Sequence, residues 1–457
     1  MNFHNDTITA IATAPGEAGV AVVRLSGPNA ITVAAKLFKC SDPPLAKRAT
    51  GTLVYGHFKY RGEQIDELLV LIMKKPHSYT REDVIEFQCH GGNLTSRRIL
   101  RALLAEGVRL AEPGEFTARA FLNGRLDLLQ AEAVADLIRA KTERAATAAL
   151  NQMKGSLSKE INMLFDKLIA LAATIETTLD FSTDEIEPVP PGTLISELSI
   201  ITKHINRIIA TCDEGRLLRH GARVVISGRP NVGKSTLLNK LLDADRAIVS
   251  NIPGTTRDTI EESIILDGFP VILTDTAGLR ETECAIEEEG VRRSINQIEL
   301  ADVHIYLIDV SEDIIEEDEK NLRRHDHRKT ILVRNKIDLN SKCEYSPLPG
   351  IHEISASLIN NIGVLEIRKA IIELIESGME ISEGPHSTIS ERHHQILIQV
   401  SDELEQAKCL LNSAHEGFEV LTVSHLRTAS EQIATLIGKN YHTELLNQVF
   451  SKFCIGK

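Results

Sequence analysis

The string Gly228-Arg229-Pro230-Asn231-Val232-Gly233-Lys234-Ser235 sets two glycines, a lysine and a serine at the spacing G-x-x-x-x-G-K-S, between the apolar run Val224-Val225-Ile226 and a helix-like segment from Thr236 to Leu242. Glycines at those places let backbone N–H groups turn inward on phosphate oxygens; Lys234 neutralises the β and γ oxygens, and the Ser235 hydroxyl can ligate Mg²⁺. A plain glycine turn capping a helix would need neither the preceding strand nor the Lys-Ser pair. Three companions follow in order. Asp275-Thr276-Ala277-Gly278 ends a β-rich run, so Asp275 can hold the metal through water and the Gly278 N–H can reach the γ-phosphate. Asn335-Lys336-Ile337-Asp338 ends another, and the Asp338 carboxylate can accept the ring N–H and the exocyclic amine of guanine, a donor pair adenine lacks. Ser355-Ala356 then offers a backbone N–H to the guanine carbonyl. Between the first two motifs lies Gly254-Thr255-Thr256-Arg257-Asp258, where Thr256 is expected to reach the metal from a switch-like loop. The position after D-T-A-G, which carries a water-orienting glutamine in Ras-type enzymes, is Leu279, so the attacking water must be placed by another group.

These motifs need strands that end at one edge of a sheet. Arg223 to Ser227, Pro270 to Asp275, His304 to Val310 and Thr330 to Arg334 are short β-rich runs separated by helix-length segments, which predicts a parallel sheet covered by helices. Upstream, residues 1 to 118 read as mixed α and β, with strands expected at Thr7 to Ala12, Val20 to Leu25 and Leu68 to Met73. From Leu126 to Phe181 the spacing is helical, and after Glu187-Pro188-Val189-Pro190-Pro191-Gly192 a further helix runs from Leu194 to about Leu218. Beyond Gly378 the stripe Ile396, Val400, Leu404 and Leu411 returns to helix. The fold class expected is multidomain: an α+β amino-terminal domain (1–118), a helical domain in two halves (119–215 and 378–457) and an inserted Ras-like α/β P-loop domain (216–377).

Composition narrows the partners. With 64 acidic against 51 basic side chains the net charge is −13, so an RNA partner must meet a local basic patch or a second subunit. Cys40, Cys89, Cys212, Cys284, Cys343, Cys409 and Cys454 are scattered, with no C-x-x-C pair, as expected of reduced thiols. The opening MNFHNDTITA lacks a basic stretch followed by an apolar core, and runs such as Leu168 to Ile175 fall well short of the roughly 18 residues needed to span a bilayer. A cytoplasmic protein with no membrane partner is expected.

The set GRPNVGKST, PGTTRD, DTAGLRE and NKID resembles the bacterial GTPases of the Era, EngA and MnmE group. Outside that region, DTITAIATAPGEAGVAVVRLSG, PHSYTREDVIEFQCHGG, EPGEFTARAFLNGRLDLLQAEAVADLI and the final FCIGK are similar to the MnmE (TrmE) family of tRNA modification GTPases, so the resemblance spans essentially the whole chain. It implies a homodimer whose amino-terminal domain binds 5-formyl- or 5,10-methylene-tetrahydrofolate. It also implies a complex with the FAD-carrying partner MnmG that modifies C5 of the wobble uridine of certain tRNAs. For GTP binding it implies Asn231, Val232, Gly233, Lys234, Ser235 and Thr236, the loop Ser250-Asn251-Ile252-Pro253-Gly254-Thr255-Thr256, Asp275 to Gly278, Asn335, Lys336, Asp338, Ser355 and Ala356. By the same resemblance K⁺ takes the Asn231 side-chain oxygen and backbone oxygens at Ser250, Ile252 and Thr255, where other GTPases use an arginine finger. Mg²⁺ takes Ser235 and Thr256. Catalysis would rest on Lys234, Asn231 and a water-positioning Glu287. Folate would be held by Arg24, Glu86, Arg125 and Lys457, and Cys454 is a candidate for the modification chemistry, with nucleophilic and packing roles both open.

Two other readings compete. A ribosome-assembly GTPase shares the switch strings, but EngA would need two P-loops and Era a basic tail with GxxG, neither of which this chain has. A nucleotide-gated scaffold without turnover would have little use for Lys234, Ser235, Thr256 and Asp275 together.

Overall fold

Alternation of apolar and polar residues sorts the first sheet. In β1 (Ile8–Ile11) and β2 (Val20–Ser26), Ala21, Val23 and Leu25 point to one side and Val22 and Arg24 to the other, as period-two strands require. The chain continues through α1 (Ala30–Leu37), β3 (Phe38–Cys40), β4 (Thr52–Tyr60), β5 (Glu63–Met73), β6 (Val84–His90), α2 (Asn93–Ala105), β7 (Arg109–Leu110) and α3 (Glu115–Leu122). The strands form a seven-stranded sheet ordered β3-β4-β5-β6-β2-β1-β7, antiparallel except for the β1·β7 pair. Val33 and Leu37 of α1 and Ile99 and Leu103 of α2 cover the face carrying Val23, Val70 and Phe87, leaving Arg24 on the opposite face. The three strands expected here are present within β1, β2 and β5. The others carry weaker signals: β4 holds Gly56 and a register shift at Phe58.

Helices follow: α4 (Leu128–Arg139), α5 (Glu143–Met153), α6 (Ser156–Asp180), α7 (Pro191–Ile209) and α8 (Cys212–His220). The long stretch expected from Leu126 is thus three helices, one break lying at Gly155 with φ of 85°. The α/β region then runs β8 (Ala222–Gly228), α9 (Lys234–Ala244), β9 (Glu261–Leu266), β10 (Phe269–Asp275), β11 (Val303–Asp309), α10 (Glu316–Arg324), β12 (Thr330–Asn335), β13 (His352–Ser355) and α11 (Val364–Ser377). Its sheet order is β13-β12-β11-β8-β10-β9, parallel except for the edge strand β9. Every residue of β11 is buried, as expected of a parallel strand covered on both faces. Helices α12 (Glu391–Ser413), α13 (Phe418–Ile437) and α14 (Thr443–Phe450) complete the chain. The fold is therefore multidomain: an α+β amino-terminal domain, a discontinuous helical domain and an inserted Ras-like α/β P-loop domain.

The computed structural model describes residues 6–180, 189–244, 261–275, 297–324, 326–339, 350–377, 389–413 and 417–456. Compact packing divides the chain into one unit of Met1–Ala135, Gln152–Ser196 and Asp402–Lys457 and another of Asp136–Asn151 and Glu197–Ser401. These units cut the helical segments differently from sequence texture, because Ala145 and Ala148 of α5 are buried in the same apolar cluster as Val224, Ile226 and Leu273. Within the first unit α6 and α13 lie side by side, joined by an Arg427–Glu176 ion pair at 2.7 Å. Phe450 of α14 and the following Phe453 pack with Ala118 and Phe121 of α3. Among the described residues no helix is long and apolar enough to cross a membrane.

Candidate functional site

The turn from β8 into α9 is shaped by backbone that ordinary residues avoid. Gly228, Asn231 and Gly233 have φ of 138°, 64° and 108°. A side chain at Gly228 would run into the Leu307 carbonyl, and one at Gly233 into the Asn335 amide, so neither glycine can be replaced without displacing a neighbour. Such alternating backbone makes a concave nest of N–H groups beside a helix N-terminus, suited to phosphate oxygens. The buried Lys234 ammonium donates to the Gly228 and Arg229 carbonyls at 3.0 and 2.7 Å and so closes the loop on itself. Ser235 donates to Asp275, at the end of the adjacent parallel strand β10, over 3.4 Å. That hydroxyl and carboxylate form the all-oxygen donor set a hard divalent cation prefers. On the loop's outer side Arg229 pairs with the buried Asp318 at 3.0 Å, an anchor that sequence reading did not single out.

The turn Asn335–Asp338 is fastened to the β8–α9 loop through Asn335. Its amide donates to the Val232 carbonyl at 2.8 Å, and its oxygen accepts the Leu358 N–H at 3.1 Å. Lys336, at φ of 68°, pairs with Asp309 at 2.5 Å. Burial pushes the Asp309 carboxyl up, yet Lys336 and Ser311 outweigh it and hold the group below the usual carboxylate range. Asp338 is exposed and accepts the Ser357 hydroxyl at 2.5 Å, which fixes the carboxylate that guanine would meet. Beyond β13 the Ala356 N–H donates to the Arg334 carbonyl at 2.7 Å, which seats the Ser355-Ala356 turn beside the end of β12.

A second constellation lies on the other face of the amino-terminal sheet, beside Phe116 of α3. Arg24 and Glu86 are direct partners across β2 and β6, with Nε donating to the carboxylate at 2.7 Å. The Arg24 guanidinium also donates to the Gly456 carbonyl at 3.1 Å and lies over the rings of Tyr79 and Phe116. Arg125 stacks 4.7 Å from the Tyr79 ring centre and donates to the Tyr79 carbonyl at 3.0 Å. Tyr79 itself, half-buried and hydrogen-bonded to Thr117, has its phenol pushed up chiefly by desolvation. Two arginines and a carboxylate around aromatic rings fit a flat, N–H-bearing heterocycle with an anionic tail. Tyr79, Phe116 and Thr117 went unremarked in sequence reading, since nothing local marks them as neighbours of Arg24. The tail is seated closely: a side chain at Gly456, φ 98°, would strike the Ile11 carbonyl, while the Cys454 thiol is exposed.

A family model described as "MnmE helical domain" matches residues 128–454, and one described as "GTP-binding protein TrmE N-terminus" matches residues 7–125. The tRNA modification GTPase MnmE of Moorella thermoacetica is 43% identical over 465 residues, which cover 99% of this chain and 100% of that protein. The chain belongs to the MnmE family of tRNA modification GTPases. Similar MnmE proteins include that of Ligilactobacillus salivarius, 42% identical over 99% of this chain and 98% of its own, and that of Bacillus subtilis, 40% identical over 99% and 100%. Full-length similarity to MnmE proteins, with matches to both an amino-terminal and a helical model, argues against an Era or EngA type of GTPase. Of the family positions, the structure brings Asn231, Val232, Gly233, Lys234, Ser235, Thr236, Asp275, Asn335, Lys336 and Asp338 to one end of the α/β sheet, and Arg24, Glu86 and Arg125 to the other site. Ser250 to Thr256, Thr276 to Gly278, Glu287 and Lys457 lie outside the described residues.

Proposed function

We propose that this chain hydrolyses GTP at the β8–α9 loop and, with MnmG and a tetrahydrofolate-borne one-carbon unit, modifies C5 of the wobble uridine of tRNA. The observation that carries the nucleotide half is the Asn335 bridge, which holds the base-reading loop and the phosphate loop in one rigid relation. On binding, the Lys234 ammonium would turn part of its bonding from the Gly228 and Arg229 carbonyls to the β and γ oxygens, so the charge developing on leaving is met by a group already in place. Ser235 and Asp275, with Thr256, would hold Mg²⁺, which supplies charge neutralisation to the phosphates. Asn231, held in the left-handed conformation beside the loop, would offer K⁺ its side-chain oxygen together with backbone oxygens at Ser250, Ile252 and Thr255. Glu287 would orient the attacking water in place of the glutamine that Leu279 displaces. GTP turnover with K⁺ should exceed that with Na⁺, and Lys234→Ala should remove it; equal turnover in both salts would refute the potassium assignment.

The one-carbon half is supported by the Arg24–Glu86 pair and its contact with the chain's tail. Glu86 would accept from a pterin edge while Arg24 and Arg125 meet the glutamyl carboxylates, and Cys454, which is exposed, and Lys457 would serve the same site by the family resemblance. A homodimer in the cytoplasm, joined to FAD-carrying MnmG, completes the reading. Formyl-tetrahydrofolate titration should show weakened binding for Arg24→Ala and Glu86→Ala with unchanged GTP affinity; unaltered folate binding in both would remove this site.

A further inference from the structure

Outside both sites, α8 opens on Cys212 and α12 opens on Glu391, with His394 one helical turn later. Spacing of i and i+3 puts Glu391 and His394 on one face of α12. The Cys212 sulfur, a His394 ring nitrogen and a Glu391 carboxylate oxygen all lie within 4.8 Å of one another. A tetrahedron with metal–sulfur distances of about 2.3 Å and metal–nitrogen distances of about 2.0 Å has edges of roughly 3.3 to 3.8 Å. Rotation of the exposed Glu391 and half-buried His394 side chains covers that difference, while the buried Cys212 supplies a fixed corner.

We propose that Cys212, Glu391 and His394 form a three-ligand site for a zinc-type divalent metal, with water in the fourth position, that fastens α8 to α12. Donor chemistry selects the metal: one thiolate, one imidazole and one carboxylate match zinc, whereas magnesium and calcium prefer oxygen alone. Segments around the ligands are tied by bonds of their own: the Ser401 hydroxyl on α12 donates to Asn206 on α7 at 2.9 Å, and Arg219 on α8 donates to the carbonyl of Ile389, two residues before α12. Neighbouring cations are neutralised, since Arg216 pairs with Asp302 at 2.6 Å and Arg219 with Asp136 at 3.5 Å. In sequence, Cys212 precedes and Glu391 follows the entire α/β domain, so a metal here would close the chain at its entry and exit. Binding only the folded form, it would raise stability in proportion to metal concentration.

Cobalt titration of chelator-treated full-length protein tests the site, because Co²⁺ bound to a thiolate gives a charge-transfer band that Co²⁺ on oxygen and nitrogen alone does not. One equivalent per chain should produce the band, zinc should displace it, and Cys212→Ser and His394→Ala should each abolish it. Zinc should also raise the melting temperature of the wild type and not that of Cys212→Ser, while GTP turnover of the metal-free variants matches the metal-free wild type. Absence of the band in the wild type, or its persistence in Cys212→Ser with the metal on another thiol, would overturn the proposal.

Discussion

In the proposed reading Asp338 carries the choice of base, and the chemistry of its carboxylate makes the assignment easy to test. Replacing it with an amide keeps one acceptor oxygen but sets an N–H against the exocyclic amine, so one charge-assisted hydrogen bond worth about 1.5–3 kcal/mol is lost, and Asp338→Asn should weaken GTP at least roughly tenfold. The same variant should gain affinity for xanthosine triphosphate, whose C2 carbonyl can accept from the amide N–H. Competition binding with both nucleotides checks this, and ATP competing as well as GTP in the wild type would show the base assignment to be wrong. Glu287 makes a sharper distinction between binding and turnover: Glu287→Ala should keep GTP affinity and lose turnover by about 10² to 10⁴, the range of a positioned acid or base. If the loss follows Glu288→Ala instead, the water-positioning role belongs one residue along. The places of Lys234 and Ser235 at the start of the helix after β8, and of Asn335 at the end of β12, were legible from their strings. Arg229, Tyr79 and Phe116 were not, because what they touch is set by register and packing many residues away.

Among the elements, α3 is secured to the first sheet by buried charge. Arg119 reaches Asp6 at 2.6 Å, Glu115 at 2.9 Å and Glu82 at 3.2 Å, while Arg109 shares Asp6 and Glu115. Burial alone would push the Asp6 and Glu115 carboxyls up, but hydrogen bonds and charge from Arg109 and Arg119 prevail and hold both below the usual range. Groups with lowered folded pKa values contribute stability that is fully present above the ordinary carboxylate range near pH 4 and is lost as pH falls through the folded values. Arg119→Met leaves Glu82 without its cation and Asp6 and Glu115 with Arg109 alone, and should cost up to about 3–5 kcal/mol, with acid unfolding moved to higher pH. Thermal and acid melts followed by circular dichroism measure both; an unchanged acid midpoint would deny the network this role. Strand and helix types were readable from periodicity, whereas β3, β4, β6 and the breaks within the stretch from Leu126 were not. Periodicity of 3.6 continues across a one-residue left-handed break such as Gly155, so the boundary leaves little trace in the pattern.

At the scale of the whole molecule, two chemistries are assigned to separate parts of one chain, and the tail is where they can be parted. Gly456 sits against Ile11 and receives the Arg24 guanidinium, far in sequence from the phosphate loop. Deleting Cys454 to Lys457 should therefore abolish tRNA modification and leave potassium-stimulated GTP hydrolysis largely intact, as independent sites with no shared contacts require. Restored modification with the truncated chain would release the tail from any part in the one-carbon chemistry. Domain texture made the insertion of the α/β region legible, but the packing of α5 with that region's core was hidden, because small alanines such as Ala145 and Ala148 do not announce which neighbour they meet. Nucleoside analysis by mass spectrometry of tRNA from a strain lacking this gene, with and without the wild-type or Lys234→Ala chain restored, tests the central assignment most directly. The account predicts that the C5 substituent of the wobble uridine disappears on deletion, returns with the wild type and does not return with Lys234→Ala; a wobble uridine unchanged by the deletion would contradict it.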